Sequence, residues 1–173
     1  MNKFTFPTAL LFIIVFTLSG YAQTKTKFGD DVGTLNGIIK AFYASMSVKK
    51  GQLPSYERDS LLHFPGALVG FPQIDKSGKT VMRMVTIKQF HTEEDASMAK
   101  TGYYEKQIAS KVQKFGSLYH VWSTYETRYV AGGPIIGRGI DSIELFYDGN
   151  RFWVLSCFYD IERKDRPLPK EYL

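Results

Sequence analysis

The second half of the chain constrains the fold most. From Tyr103 to Ile161 it consists of four long runs of strand-forming residues divided by turn chemistry: Tyr103–Lys114, Leu118–Val130, Gly139–Tyr147 and Arg151–Ile161. All four are rich in aromatic and β-branched residues, which fit a pleated sheet. Phe115-Gly116-Ser117 and Asp148-Gly149-Asn150 are hairpin signals, and Ala131–Arg138, with three glycines and a proline, is a longer loop. Runs joined this way form an antiparallel meander, because hairpins need no crossover.

Side-chain alternation gives each strand two faces. A two- or four-residue turn at Asp148-Gly149 groups Ser142, Glu144 and Phe146 with Trp153, Leu155, Cys157 and Tyr159. It groups Ile143, Leu145 and Tyr147 with Phe152, Val154, Ser156 and Phe158, and a bulge would swap these assignments. The same logic at the first hairpin groups Gln107, Ala109 and Lys111 with His120, Trp122, Thr124 and Glu126. Ile108, Ser110 and Val112 then share a face with Tyr119, Val121, Ser123 and Tyr125, with bulges expected in strands this long. Both faces are apolar, so both should be covered. The helices of so short a chain cover one, and a second copy of the chain is the simplest cover for the other, which predicts a homodimer.

The first half supplies those helices. Phe28, Val32, Leu35, Ile38, Ile39, Phe42, Tyr43 and Met46 recur at helical spacing, with Asp30 and Asp31 near the start, Lys49 and Lys50 near the end, and Gly51 as the stop. Ser55 caps a second, short helix that Pro65-Gly66 breaks. Strands at Ala67–Phe71 and Thr80–Ile87 flank a turn on Asp75-Lys76-Ser77-Gly78. Thr86 and Gln89 have capping-box spacing, so a helix covers about 87–100 and ends at Gly102. The tail from Pro167 to Leu173, with two prolines, reads as extended. Helices followed by a meander define an α+β fold, with helices laid on one face of a curved sheet. A small β-barrel carrying N-terminal helices is the alternative.

Composition agrees with one ordinary globular domain: 173 residues, 44% hydrophobic and 23% charged. A single cysteine, Cys157, excludes an internal disulfide and any cysteine-based zinc site. The net charge of +5 is spread rather than clustered, the longest basic run being Lys49-Lys50, so nucleic acid is not an expected partner. Residues 1–22 combine Lys3, an apolar run from Ala9 to Leu18, and small residues at Gly20 and Ala22. That is the pattern of a signal peptide cleaved after Ala22, and it predicts a periplasmic or secreted domain over 23–173 that is free of the membrane after cleavage. An uncleaved anchor is the alternative.

The order of elements, the stretch Phe115-Gly-Ser-Leu-Tyr-His-Val-Trp-Ser-Thr-Tyr-Glu126 and the hairpin Arg138-Gly-Ile-Asp-Ser-Ile-Glu-Leu-Phe-Tyr-Asp-Gly-Asn-Arg-Phe-Trp153 resemble the nuclear transport factor 2-like superfamily, in particular its SnoaL-like bacterial members. The resemblance spans roughly residues 30–161. It implies a cone-shaped roll in which N-terminal helices pack on a strongly curved, mainly antiparallel sheet, with a pocket between helices and sheet and dimerisation through the outer face. In the cyclases and isomerases of that superfamily a pocket acid, or an acid–His pair, handles the proton. Many members carry Asp in the Pro-x-Ala step where this chain has Gly66.

The expected ligand-binding set is Trp122, Tyr125, Glu144, Trp153, Tyr159, Arg83 and His120. Glu144 is the best catalytic candidate, because a carboxylate on an apolar face has a raised pKa; a place at the sheet rim, or pairing with a cation, is the alternative. The aromatics suit a pocket wall, and core packing is their alternative. His120 and Glu126 lie about 20 Å apart along one strand and cannot form a dyad. Only three histidines occur, none at metal-ligand spacing, so no metal is expected, and no motif calls for a cofactor. The functional expectation is an exported protein binding a small apolar or aromatic molecule without demonstrable catalysis. Its rivals are an isomerase, cyclase or dehydratase using a pocket carboxylate, and a protein-interaction module. A deep cavity with a buried carboxylate favours the enzyme, one without it the binder, and a filled cone the interaction module.

Overall fold

A computed structural model describes residues 31–173. The segment read as an export address, and Phe28 and Asp30 of the first predicted helix, lie outside the described residues. In chain order the elements are α1 (Leu35–Met46), α2 (Tyr56–Ser60), β1 (His63–Ile74), β2 (Thr80–Thr86), α3 (Ile87–Thr101), β3 (Tyr104–Phe115), β4 (Leu118–Arg128), β5 (Gly137–Tyr147), β6 (Phe152–Ile161) and a 3₁₀ turn at Lys170–Tyr172. The strands form one sheet in the order β2-β1-β6-β5-β4-β3. All neighbours are antiparallel except β1 and β6. β2 and β3 stay at the edges, so the sheet is open and the barrel alternative falls.

Local chemistry sets the helix ends. The Thr34 hydroxyl accepts from Gly37 N at 3.0 Å, so α1 begins at Leu35, later than the apolar periodicity suggests. Asp31 therefore lies outside the first turn and instead pairs with Arg58 at 2.9 Å. Val32, although buried, reaches the core from outside the helix. Ser55 caps α2 as expected. The reciprocal capping box of Thr86 and Gln89 opens α3, and Gly102, at φ +81°, closes it where a Cβ would strike the Tyr129 carbonyl.

The core lies between α1 and the concave face of β4, β5 and β6. Ile38, Leu62, Val121, Ile143, Leu145 and Val154 are essentially inaccessible there. Two bulges set which side chains reach that face. Ile108 is the extra residue of β3 between Gln107 and Ala109, and Leu155 that of β6 between Val154 and Ser156. The second bulge corrects the expected faces, because each inserted residue inverts the alternation beyond it. Cys157 and Tyr159 join Asp141 and Ile143 on the concave face, whereas Ser156 and Phe158 join Glu144 and Ser142 on the outer face. At the first hairpin the expected grouping holds except for Gln107, which the bulge turns to the Tyr125 side.

The tail is not simply extended. Its 3₁₀ turn lies on the outer face, where Thr124 Oγ1 donates to the Tyr172 carbonyl at 2.6 Å and the Tyr172 ring sits 6.0 Å from Trp122. Part of the face assigned to a second copy is thus covered by the chain itself. Among the described residues, no helix is long and apolar enough to cross a membrane.

Because Ile38 and Ile143 fill the core completely, Ile38→Ala or Ile143→Ala is expected to lower unfolding stability by about 2–5 kcal/mol in chemical denaturation. Val112→Ala, on an exposed stretch of β3, should change it by less than about 0.5 kcal/mol.

Candidate functional site

The curved sheet stands away from α1 and α3 at one end and leaves a cavity of about 480 Å³. Phe42, Tyr43 and Met46 of α1 form one wall, and Phe90, Glu94, Ser97 and Met98 of α3 another. The concave sheet contributes Glu105, Tyr125, Asp141, Cys157 and Tyr159, with Tyr103 just before β3. Gly139 makes room for Tyr125, its cross-strand partner, since a Cβ at Gly139 would run into the tyrosine hydroxyl and the Asp160 carbonyl.

The polar centre of this cavity is built on facing elements. Tyr43 Oη donates to Asp141 Oδ2 at 2.6 Å and lies 2.7 Å from Ser123 Oγ, which in turn accepts from Gln107 Nε2 at 2.6 Å. Tyr103 Oη donates to Glu105 Oε2 at 2.8 Å. Burial pushes the Asp141 carboxyl up to about 7, although the Tyr43 and Cys157 hydrogen bonds pull the other way. Burial, reinforced by the charge of Asp141, drives Glu105 well above the carboxylate range. The same burial and the same carboxylates raise the hydroxyls of Tyr43, Tyr103 and Tyr125 and the Cys157 thiol. Two carboxyl groups with raised affinity for protons, each held by a phenol, make a site able to accept or release a proton near neutrality.

A second ionic cluster braces the cavity from behind. Asp59 accepts from Ser45 Oγ at 2.6 Å and from His91 Nε2 at 3.2 Å, and His91 Nδ1 lies 2.9 Å from Asp95. Burial would raise Asp59, but His91, His63 and Ser45 outweigh it and hold it below the usual carboxylate value. Burial would lower His91, but Asp59 and Asp95 outweigh it and raise it. His91 is therefore an imidazolium clamped between two carboxylates, tying α3 to α2. Among the described residues no cluster of three or more His, Cys, Asp or Glu side chains could hold a metal ion.

No protein-family model matches the chain, and no curated protein is significantly similar to it. Solved structures do resemble it. A protein of unknown function with a cystatin-like fold from Nostoc punctiforme PCC 73102 superposes with a TM-score of 0.55 at 7% identity, over 73% of this chain and 87% of that one. An NTF2-like protein of unknown function from Silicibacter pomeroyi DSS-3 gives 0.46 at 19% identity, covering 74% and 92%. Another from Shewanella baltica OS155 gives 0.47 at 11%, covering 73% and 90%. The fold is the cystatin-like one of the first of these, helices packed on a curved, mainly antiparallel sheet. At these identities the likeness is one of architecture, and the chemistry rests on the residues.

Two of the residues expected to bind ligand, Tyr125 and Tyr159, line the cavity. The other five do not. Glu144 lies on the outer face, with its side chain about half exposed and 4.0 Å from His120 Nε2. His120, 3.0 Å from Ser142 Oγ, and Trp122, under the tail, share that face. Trp153 lies there too, stacked beneath the Arg151 guanidinium at 3.7 Å. All four belong to the outward parity of β4, β5 and β6, so the expected aromatic pocket was drawn partly on the wrong side of the sheet. Arg83 is a surface residue of β2, bonded to Glu93 at 2.5 Å. Glu126 is taken up by Arg128 and Lys106, away from His120.

The residues that matter most, Asp141, Glu105 and Tyr43, were not among the candidates. Asp141 could have been found, because it extends the Ile143-Leu145-Tyr147 stripe by one more step and places a carboxylate on a face that is otherwise apolar. Glu105 lies beyond the Ile108 bulge, and nothing in the sequence positions that bulge.

The Asp141 carboxyl holds its proton to about pH 7 in the folded chain and sheds it near 3.8 when unfolded. It therefore lowers stability as pH rises between those values. Asp141→Asn is expected to gain stability over the native chain across that interval, by up to roughly 1.4 kcal/mol per pH unit. Denaturant midpoints measured from pH 4 to pH 8 check this. Removing His91 leaves Asp59 buried without its cation, so His91→Ala should cost about 3 kcal/mol or more at pH 6, read in the same way.

Proposed function

We propose that the chain binds a small, largely apolar molecule in the cavity between α1, α3 and the concave sheet, with the polar end of that molecule at the Tyr43–Asp141–Glu105 cluster. The observation that supports this best is the cavity itself. Its volume of about 480 Å³ lies in the range of small-molecule sites. Its lining combines aromatic and apolar side chains with a dense set of polar and ionisable ones, so apolar contact and polar orientation are both available to a ligand. A filled cone, the condition that favours an interaction module, is absent here.

Acid–base chemistry of the isomerase, cyclase or dehydratase kind is the reading that a deep cavity with a buried carboxylate favours, and Asp141, 4% exposed in the cavity wall, meets that condition. Burial pushes the Asp141 carboxyl up to about 7, and burial, with the charge of Asp141 added, raises the proton affinity of a second cavity carboxyl, Glu105. Such a pair can take a proton at one position of a bound molecule and return it at another. The leader-like first segment and the remaining apolar outer face, with Phe64, Phe146 and Trp153 in contact, support an exported protein and pairing with a second copy.

Ser97 lies on the cavity wall but is exposed, so a large side chain there obstructs the space without disturbing the core. The neutral dye Nile red is expected to bind the native protein, and Ser97→Trp about tenfold more weakly or worse, by fluorescence titration. Equal affinities would remove the cavity as the binding site. Mass spectrometry of whatever co-purifies then separates the readings. Deuterium uptake from heavy water into that molecule, catalysed by the native protein and not by Asp141→Asn, indicates the enzyme, and no uptake indicates the binder.

A further inference from the structure

The polar groups that the protein leaves open in the cavity are unbalanced in kind. The two phenols nearest the acids are spent as donors, Tyr43 on Asp141 and Tyr103 on Glu105. Glu94 of α3 lines the wall with no cation beside it among the described residues. Arg138, the one Arg or Lys in the wall, is committed to Glu162 by contacts of 2.8 and 3.3 Å. Asp59 already has its cation in His91.

His63 adds an independent observation. Its Nδ1 lies 2.8 Å from the Asp59 carbonyl oxygen. A carbonyl only accepts, so Nδ1 carries a proton. The ring's Nε2 has no hydrogen-bond partner, although His63 is only 5% exposed and belongs to the cavity wall. A buried polar atom without a partner costs about 1–3 kcal/mol, and such an atom in a cavity wall calls for a missing group. The cavity therefore carries acidic groups in excess, and among the described residues no Arg or Lys pairs with Asp141, Glu105 or Glu94.

We infer that the occupant is a cation: an amine with an aromatic or apolar body, whose ammonium donates to the Asp141 and Glu105 carboxylates. An ammonium is three donors and no acceptor, which complements what the wall leaves open. Aromatic surroundings favour a cation as well, through the negative faces of the rings. An ammonium lets both carboxyls ionise and release the protons that burial holds on them, whereas a carboxylate or phosphate ligand opposes that ionisation. The inference rests on the binding reading above and specifies the ligand class of the same cavity.

Three indoles of nearly the same shape test it: tryptamine, its neutral counterpart tryptophol and the anion indoleacetate, titrated calorimetrically against the native protein. Tryptamine is expected to bind at least about tenfold tighter than either of the others. Asp141→Asn and Glu105→Gln should each remove most of that preference, bringing the tryptamine affinity towards that of tryptophol. Tryptophol or indoleacetate binding as tightly as tryptamine would overturn the cationic ligand and leave the cavity reading standing. An amine preference that survives both substitutions would overturn the assignment to these carboxylates. Binding of none of the three would overturn the inference and count against the cavity reading together.

Discussion

The hydrogen bond from Tyr43 to Asp141 is the contact on which the rest of the molecule depends. It joins α1 to β5, and through Ser123 to β4, at the point where the helix begins to separate from the sheet. A carboxyl taken out of water is costly unless it is protonated or hydrogen-bonded, and both conditions operate here. The phenol supplies the bond, and burial keeps the proton on the acid up to near neutrality. On one side of this contact lies the dry core around Ile38, Ile143 and Leu145, and on the other lies the cavity. Because the groups of the site stand on a helix and on paired strands, their positions are set by the same packing that stabilises the fold.

The hollow is a consequence of sheet geometry. The order β2-β1-β6-β5-β4-β3 places the long meander strands opposite α1, and the bulges at Ile108 and Leu155 re-aim the neighbouring side chains of β3 and β6. Without the Leu155 bulge, Cys157 and Tyr159 would face outward and Phe158 inward, closing the space in which Tyr159 now stands. A bulge also increases local twist and bends its strand, which suits an open sheet that has to curve around helices. The clamp of Asp59, His91 and Asp95 then holds α3 over the opening through charge rather than through apolar area.

Much of this was legible in the sequence. The body of the first helix, the Ser55 cap, the Thr86–Gln89 capping box and all four meander strands obey short-range rules, because caps and turns are settled by atoms a few residues apart, although that helix ends at Met46 with Ser47 as its cap rather than at Gly51. The cone-like arrangement came from the order of elements and from the resemblance. What the sequence hid was parity after a bulge. A bulge depends on how two strands meet and leaves no mark in either one, so Glu144 and Trp153 were placed with Tyr159 although they stand on the opposite face. The tail was hidden for a related reason. Two prolines describe its local path, but its return to Thr124 and Trp122 is a long-range contact.

The central claim is that two carboxyl groups sit in a cavity where, among the described residues, no Arg or Lys pairs with them, and hold protons that ordinary carboxylates would lose. Carbon-detected NMR titration of the Asp and Glu side chains, assigned with Asp141→Asn and Glu105→Gln, measures this directly. The account predicts that Asp141 titrates near pH 7 and that Glu105 titrates well above the usual carboxylate range. Midpoints near 4 for both, roughly the values of freely solvated acids, would contradict it.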